Sequence, residues 1–229
     1  MDEQVERLAK KSVAFQDQVR KTTLAAKVAQ RVSHFKEASP SLGPGPDVAI
    51  FLPMDGYHLT RAQLSAMPDP HTAHSRRGAA FTFDAPAFLE LVQKLREPIC
   101  PETRTIFAPS FDHAVKDPVA DDIPIASTSR IIIFEGNYLS LGTGAEEWKE
   151  AAELMDELWF VEVKEEVARQ RLIARHVASG IAKDETDAAK RADENDLVNG
   201  KEIIEGRLRV DEVVISKEDP EWTAEKQRV

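Results

Sequence analysis

Short apolar runs that end on a charged residue alternate along this chain with stretches of helical spacing. From Thr22 to about His34 the apolar residues Leu24, Ala25, Val28, Ala29 and Val32 recur at the helical period. Residues 47–54, DVAIFLPM, form an apolar run that reads as a buried strand delivering Asp55 at its end. Residues 130–134, RIIIF, are the clearest buried strand and run straight into EGNYL, and 158–163 is another. The latter leads into a helix from about 164 to 179 that Gly180 stops. Asp84 as N-cap and Pro86 in the first turn predict a helix over 85–95. A weaker strand over 105–108 leads into PSFDH, a helix runs from about 185 to 207, and 212–215 reads as a last strand. Residues 1–12 are polar and helix-prone, while 39–46, SPSLGPGP, is a loop by composition.

Strands alternating with helices predict an α/β fold with a mainly parallel sheet covered by helices on both faces. In such sheets ligands bind beyond the carboxyl ends of the strands. Asp55, the PSFDH segment and Glu135 all fall at those predicted ends. The length, 229 residues, suits one domain over 1–229, and 42% hydrophobic with 31% charged residues is an ordinary globular balance. A net charge of -10 argues against general binding to nucleic acid, because a polyanion would be repelled. The single cysteine, Cys100, permits no internal disulfide and fits a reducing compartment. No apolar run is long enough to span a membrane, and the opening MDEQVERLAKK is too charged for a signal peptide, so the cytoplasm is expected.

The strand-end residues carry the candidate chemistry. Asp55 precedes Gly56, which permits a sharp turn out of the sheet. A carboxylate there can take the proton of a substrate hydroxyl or bind Mg²⁺; alone it reads equally well as the cap of a turn. Glu135 repeats the arrangement with Gly136, and a charge at the end of an apolar strand costs desolvation unless it has a partner such as a metal–phosphate complex. Arg76 and Arg77 form a cationic point suited to phosphate or carboxylate, with structural ion pairs as the alternative. Arg171 and Arg175, four apart on a helix, share a face and either clamp a phosphoryl group or face solvent. His58, His71, His74 and His113 match no zinc signature.

MDGYHLT (54–60), RRGAAFTFD (76–84), PSFDHAVKDPV (109–119), IIIFEGNYL (131–139), RLIARHVASGIA (171–182) and DENDLVN (193–199) together resemble the P-loop kinases related to uridine kinase, phosphoribulokinase and bacterial-type pantothenate kinase, in their fungal and bacterial nucleoside- or sugar-kinase-like branch. The resemblance covers about residues 21 to 215. It implies a P-loop NTPase-type fold with a small helical lid at about 171–200, ATP and Mg²⁺ as cofactors, and a small-molecule hydroxyl acceptor. It also implies roles. Asp55 would be the general base near Mg²⁺, Lys21 would contact the β- and γ-phosphates, Thr22 would ligate Mg²⁺ beside Thr23, and Glu135 would support the metal. Arg171 and Arg175 would contact phosphates from the lid, and Tyr57, His58, Arg76, Arg77 and His113 would line the acceptor pocket.

One part departs from that pattern. The phosphate loop of the family reads G-x-x-x-x-G-K-[ST], and here Phe15 and Arg20 stand where the two glycines belong, ahead of Lys21, Thr22 and Thr23. Glycine lets the backbone approach the phosphates, which a side chain obstructs. The first glycine of the chain is Gly43, and the family's first strand is reduced to at best 13–15, so residues 1–20 are atypical. Two readings stay open: an active kinase with an altered N-terminal sequence, or a non-catalytic relative that binds a nucleotide or metabolite.

Overall fold

Alternate side chains along three strands pack against different layers, and this alternation builds the molecule. The computed structural model describes residues 18–37 and 48–216. The helix-prone stretch 1–12, the strand remnant 13–15 and the loop 39–46 lie outside the described residues. Helix α1 (Gln18–Glu37) is followed by β1 (Ala49–Pro53), a 3-10 turn (Met54–Tyr57), and the short helices α2 (Arg61–Ser65) and α3 (Pro70–Ser75). Helix α4 (Ala85–Leu95), β2 (Ile106–Asp112), β3 (Asp117–Ile125), β4 (Ile131–Glu135) and α5 (Glu146–Glu153) come next. Strand β5 (Trp159–Glu162), α6 (Glu165–Ala178), α7 (Glu185–Arg191), a π turn (Ala192–Asp196), α8 (Leu197–Gly206) and β6 (Glu212–Ile215) complete the order.

β1 pairs parallel with β4, and β5 pairs parallel with β6, while β2 and β3 form an antiparallel hairpin. Ile50 and Leu52, Ile132 and Phe134, and Leu158 and Phe160 point into one core with Phe88, Tyr138 and Trp148. Their neighbours Ala49 and Phe51, Ile131 and Ile133, and Trp159 and Val161 point into a second core with Ala25, Val28 and Ala29 of α1. The period of two places both parallel pairs in one layer, with α1 on one face and α4 and α5 on the other. The apolar runs have no polar face because both faces are covered. Burial of side chains such as Phe88 and Trp159, both 0% exposed, contributes on the order of 2–3 kcal/mol each.

Local signals set the ends of α4. The Asp84 carboxylate accepts from the Ala87 amide at 3.0 Å, and Pro86 sits in the first turn. Two expectations are corrected. PSFDH does not follow a parallel strand; its first four residues complete β2, held by the antiparallel partner β3. The helix expected over 185–207 is interrupted by the π turn between α7 and α8. No helix among the described residues is long and apolar enough to cross a membrane.

Candidate active site at the strand ends

The register of β1 on β4 pairs Pro53 with Glu135, so the turn carrying Asp55 leaves the sheet beside the Glu135 carboxylate. Two glycines make that closeness possible. A Cβ on Gly56 would overlap the Pro109 carbonyl of β2, and one on Gly136 would overlap the Met54 side chain. The two strand-end turns therefore stack on each other and on the hairpin, which explains a glycine after each carboxylate.

Glu135 is 5% exposed, and one of its oxygens accepts a hydrogen bond from the Thr22 hydroxyl at 3.1 Å. The carboxylate and the hydroxyl that the sequence nominated for one metal site thus meet across the fold. Lys21 and Thr23 flank Thr22 on α1; their side chains lie outside the described residues. Arg20 is part of α1, whose first residue is Gln18, so helix and not loop precedes Lys21.

At the Asp55 turn itself, the His58 Nδ1 lies 2.8 Å from the Asp55 carbonyl oxygen. A carbonyl only accepts, so a neutral ring carries its proton on Nδ1 and presents a lone pair on Nε2. Burial pushes the His58 pKa below its ordinary value, against the opposing pull of Asp55, and Arg77 and His113 lower it further. The ring lies between Phe83, at 4.0 Å, and Phe111, at 4.9 Å, with His113 beside Phe111 at 5.2 Å. Asp55 is half-buried and His113 exposed.

Other nominated residues are placed differently. Tyr57, expected in the pocket wall, is 6% exposed and packs edge-on against Phe88 in the core, where burial raises its phenol pKa. Arg77 donates to the Lys116 carbonyl at 2.6 Å, to the Leu59 carbonyl at 3.0 Å and to Asp117 at 3.1 Å. It therefore staples the segment after β1 to the tip of the hairpin. Arg76 reaches the π turn and α8, with Nε 2.9 Å from Asn195 Oδ1 and Nη2 2.7 Å from Asn199 Oδ1. Arg171 and Arg175 both lie on α6, and Arg171 donates to Ser216 Oγ at 3.0 Å just beyond β6.

The sequence reading passed over Asn195, Asn199, Arg191, Asp117 and the buried His176. His176 meets Asp196 at 2.9 Å. Arg191, Asn195 and Asn199 are four apart, a spacing visible in the sequence that places them along one side of the α7–α8 segment. Their partners, Arg76 for the two asparagines and the Arg77 carbonyl for Arg191, lie more than a hundred residues earlier and were not visible.

No family model matches the chain. It is 57% identical over 161 residues to the ATP-dependent kinase-like protein notR' of Aspergillus versicolor, covering 70% of this chain and 92% of that protein. It is 41% identical over 155 residues to a Schizosaccharomyces pombe protein named provisionally as a uridine kinase, covering 68% of this chain but only 64% of that protein, so the chain spans under two thirds of that longer relative. The crystal structure of YFH7 from Saccharomyces cerevisiae superposes with a TM-score of 0.76 at 22% identity, over 95% of this chain and 98% of that one. At 57% identity over almost the full length of one relative, and on this fold, the chain belongs to the uridine kinase-like family of P-loop kinases.

Proposed function

We propose that this chain is an ATP-dependent small-molecule kinase of the cytoplasm that transfers the γ-phosphoryl group to a hydroxyl of a nucleoside, sugar or related metabolite. The observation that carries this reading is the Thr22–Glu135 hydrogen bond, which assembles a hydroxyl and a buried carboxylate beside the turn that presents Asp55. Relatives named as ATP-dependent kinases support the donor.

Mg²⁺ suits this pair, because it takes hard oxygen ligands and binds proteins through few of them. Thr22 and Glu135 would hold the ion, and it would neutralise charge on the phosphates. The phosphates themselves do not fit the residues ahead of Lys21: Arg20 is helical, and a cradle of amides needs a loop at that point. The acceptor side stands by itself. Asp55 Oδ would take the hydroxyl proton, and the His58 Nε2 lone pair would orient a substrate donor. Phe83 and Phe111 would exclude water from that side.

The helical Arg20 favours a second reading, a non-catalytic relative that keeps the acceptor pocket. Calorimetric titration with Mg·ATP separates the two. Micromolar binding followed by phosphoryl transfer to a hydroxyl acceptor supports the kinase; no binding at millimolar ATP overturns it in favour of the non-catalytic relative.

A further inference from the structure

We propose that Arg76 and Arg191 form a subsite for an oxyanion of phosphate type, aimed by the DENDLVN segment of the lid. The proposal rests on the acceptor reading above for its location, though not on turnover. Both guanidinium groups are tied to one asparagine–peptide unit, Asn195 and the Arg77 carbonyl. Asn195 Oδ1 accepts from Arg76 Nε at 2.9 Å, while Asn195 Nδ2 donates to the Arg77 carbonyl at 3.3 Å. That same carbonyl accepts from Arg191 Nη2 at 3.3 Å. Asn195 therefore links two like charges across a single peptide group. The loop that carries Arg76 is fixed from below, where the Tyr138 hydroxyl donates to the Gly78 carbonyl at 2.7 Å.

The unusual feature is what holds the arginines. Arg76 is bound by two amide oxygens, of Asn195 and Asn199, and Arg191 by a peptide carbonyl; none of these carries charge. The carboxylates of the same segment are each engaged elsewhere. Asp193 pairs with Arg169 at 2.6 Å, Glu194 lies 4.0 Å from Lys190, and Asp196 binds His176 at 2.9 Å. In a chain of net charge -10, two part-buried guanidiniums are thus brought together with neutral partners. Like charges brought together repel, and a neutral acceptor orients a guanidinium without cancelling it. Arg191 Nε is buried with no hydrogen-bond partner, and Arg76 Nη1 has none among the described residues. A bridging oxyanion would satisfy these donors and offset the repulsion. The anion is either a phosphate carried by the acceptor or a phosphate of the nucleotide.

The test titrates the purified full chain with inorganic phosphate by calorimetry, and compares Arg191→Gln, Arg76→Gln and Arg96→Gln. Arg96 is an exposed arginine paired with Asp156 and controls for loss of one charge. Phosphate is expected to bind at a single site, about tenfold or more weakened by either Arg191→Gln or Arg76→Gln and unchanged by Arg96→Gln. Arg191→Lys, which keeps the charge but not the planar fork, is expected to retain more of the affinity than Arg191→Gln. Competition by Mg·ATP for phosphate on the native chain assigns the anion to the nucleotide; phosphate binding unaffected by Mg·ATP assigns the subsite to the acceptor. No phosphate binding to the native chain, or equal weakening in Arg96→Gln, overturns the proposal. Phosphate binding is read without turnover, so an inactive chain that binds phosphate refutes the kinase reading alone.

Discussion

The Thr22 hydroxyl donates to the Glu135 carboxylate at 3.1 Å, joining the start of α1 to the end of β4 across 113 residues of chain. Glu135 is buried at a strand end, and a carboxylate with a hydroxyl beside it suits a hard divalent ion that takes oxygen ligands. Thr22→Val keeps the shape and removes the oxygen. Mg²⁺-dependent nucleotide binding is expected to weaken about tenfold, while unfolding in urea shifts by only about 1 kcal/mol. Equal Mg²⁺ dependence in both proteins would separate Thr22 from the metal.

Gly56 has no room for a methyl group, since its Cβ would overlap the Pro109 carbonyl, and backbone cannot rotate away as a side chain can. Gly56→Ala is expected to destabilise the protein by about 1–3 kcal/mol and to push the Asp55 turn off the hairpin. Urea unfolding measures the first effect. Loss of acceptor binding in protein that remains folded measures the second.

Arg77 makes three hydrogen bonds to groups on two different segments, with its guanidinium 5.6 Å above the Phe111 ring. Lysine keeps the charge but cannot span three acceptors with one planar fork. Arg77→Lys is expected to cost about 2 kcal/mol and to raise hydrogen exchange in the β2–β3 hairpin before the rest of the fold. Uniform acceleration across the whole protein would instead assign Arg77 a global role.

These contacts show which parts of the fold local sequence can express. IIIF (131–134) and VAIFLPM (48–54) are apolar throughout because β4 and β1 bury both faces, so strand and strand end were both legible. Helix α4 carried its own cap and proline. β3, DPVADDIPI, has two prolines and three aspartates, with most of its middle exposed, and it is a strand only through its pairing with β2. Nothing in 192–196 breaks a helix locally; no glycine or proline is present, and the π turn lies where Asn195 and Asp196 are claimed by Arg76 and His176. Tyr57 shows the reverse failure: its place in a polar motif suggested a pocket, while its packing against Phe88 made it core.

His58 offers a pH-dependent test of the acceptor side. Burial lowers its pKa from the ordinary 6.5, so the folded protein disfavours the charged ring while the unfolded chain does not. The unfolded state therefore binds more protons below pH about 6.5, and stability rises with pH through that window. The contribution is fully present above the unfolded value and is lost as pH falls through the folded one. Asp55, which favours the charged ring, opposes the shift, and Arg77 and His113 add to it. His58→Gln is expected to flatten the slope of stability between pH about 6.5 and the onset of acid unfolding, and to weaken acceptor binding at neutral pH. NMR titration of the imidazole is the direct check: a ring that titrates at or above 6.5 would mean that His58 is solvated, and that the Phe83–Phe111 wall does not close over it.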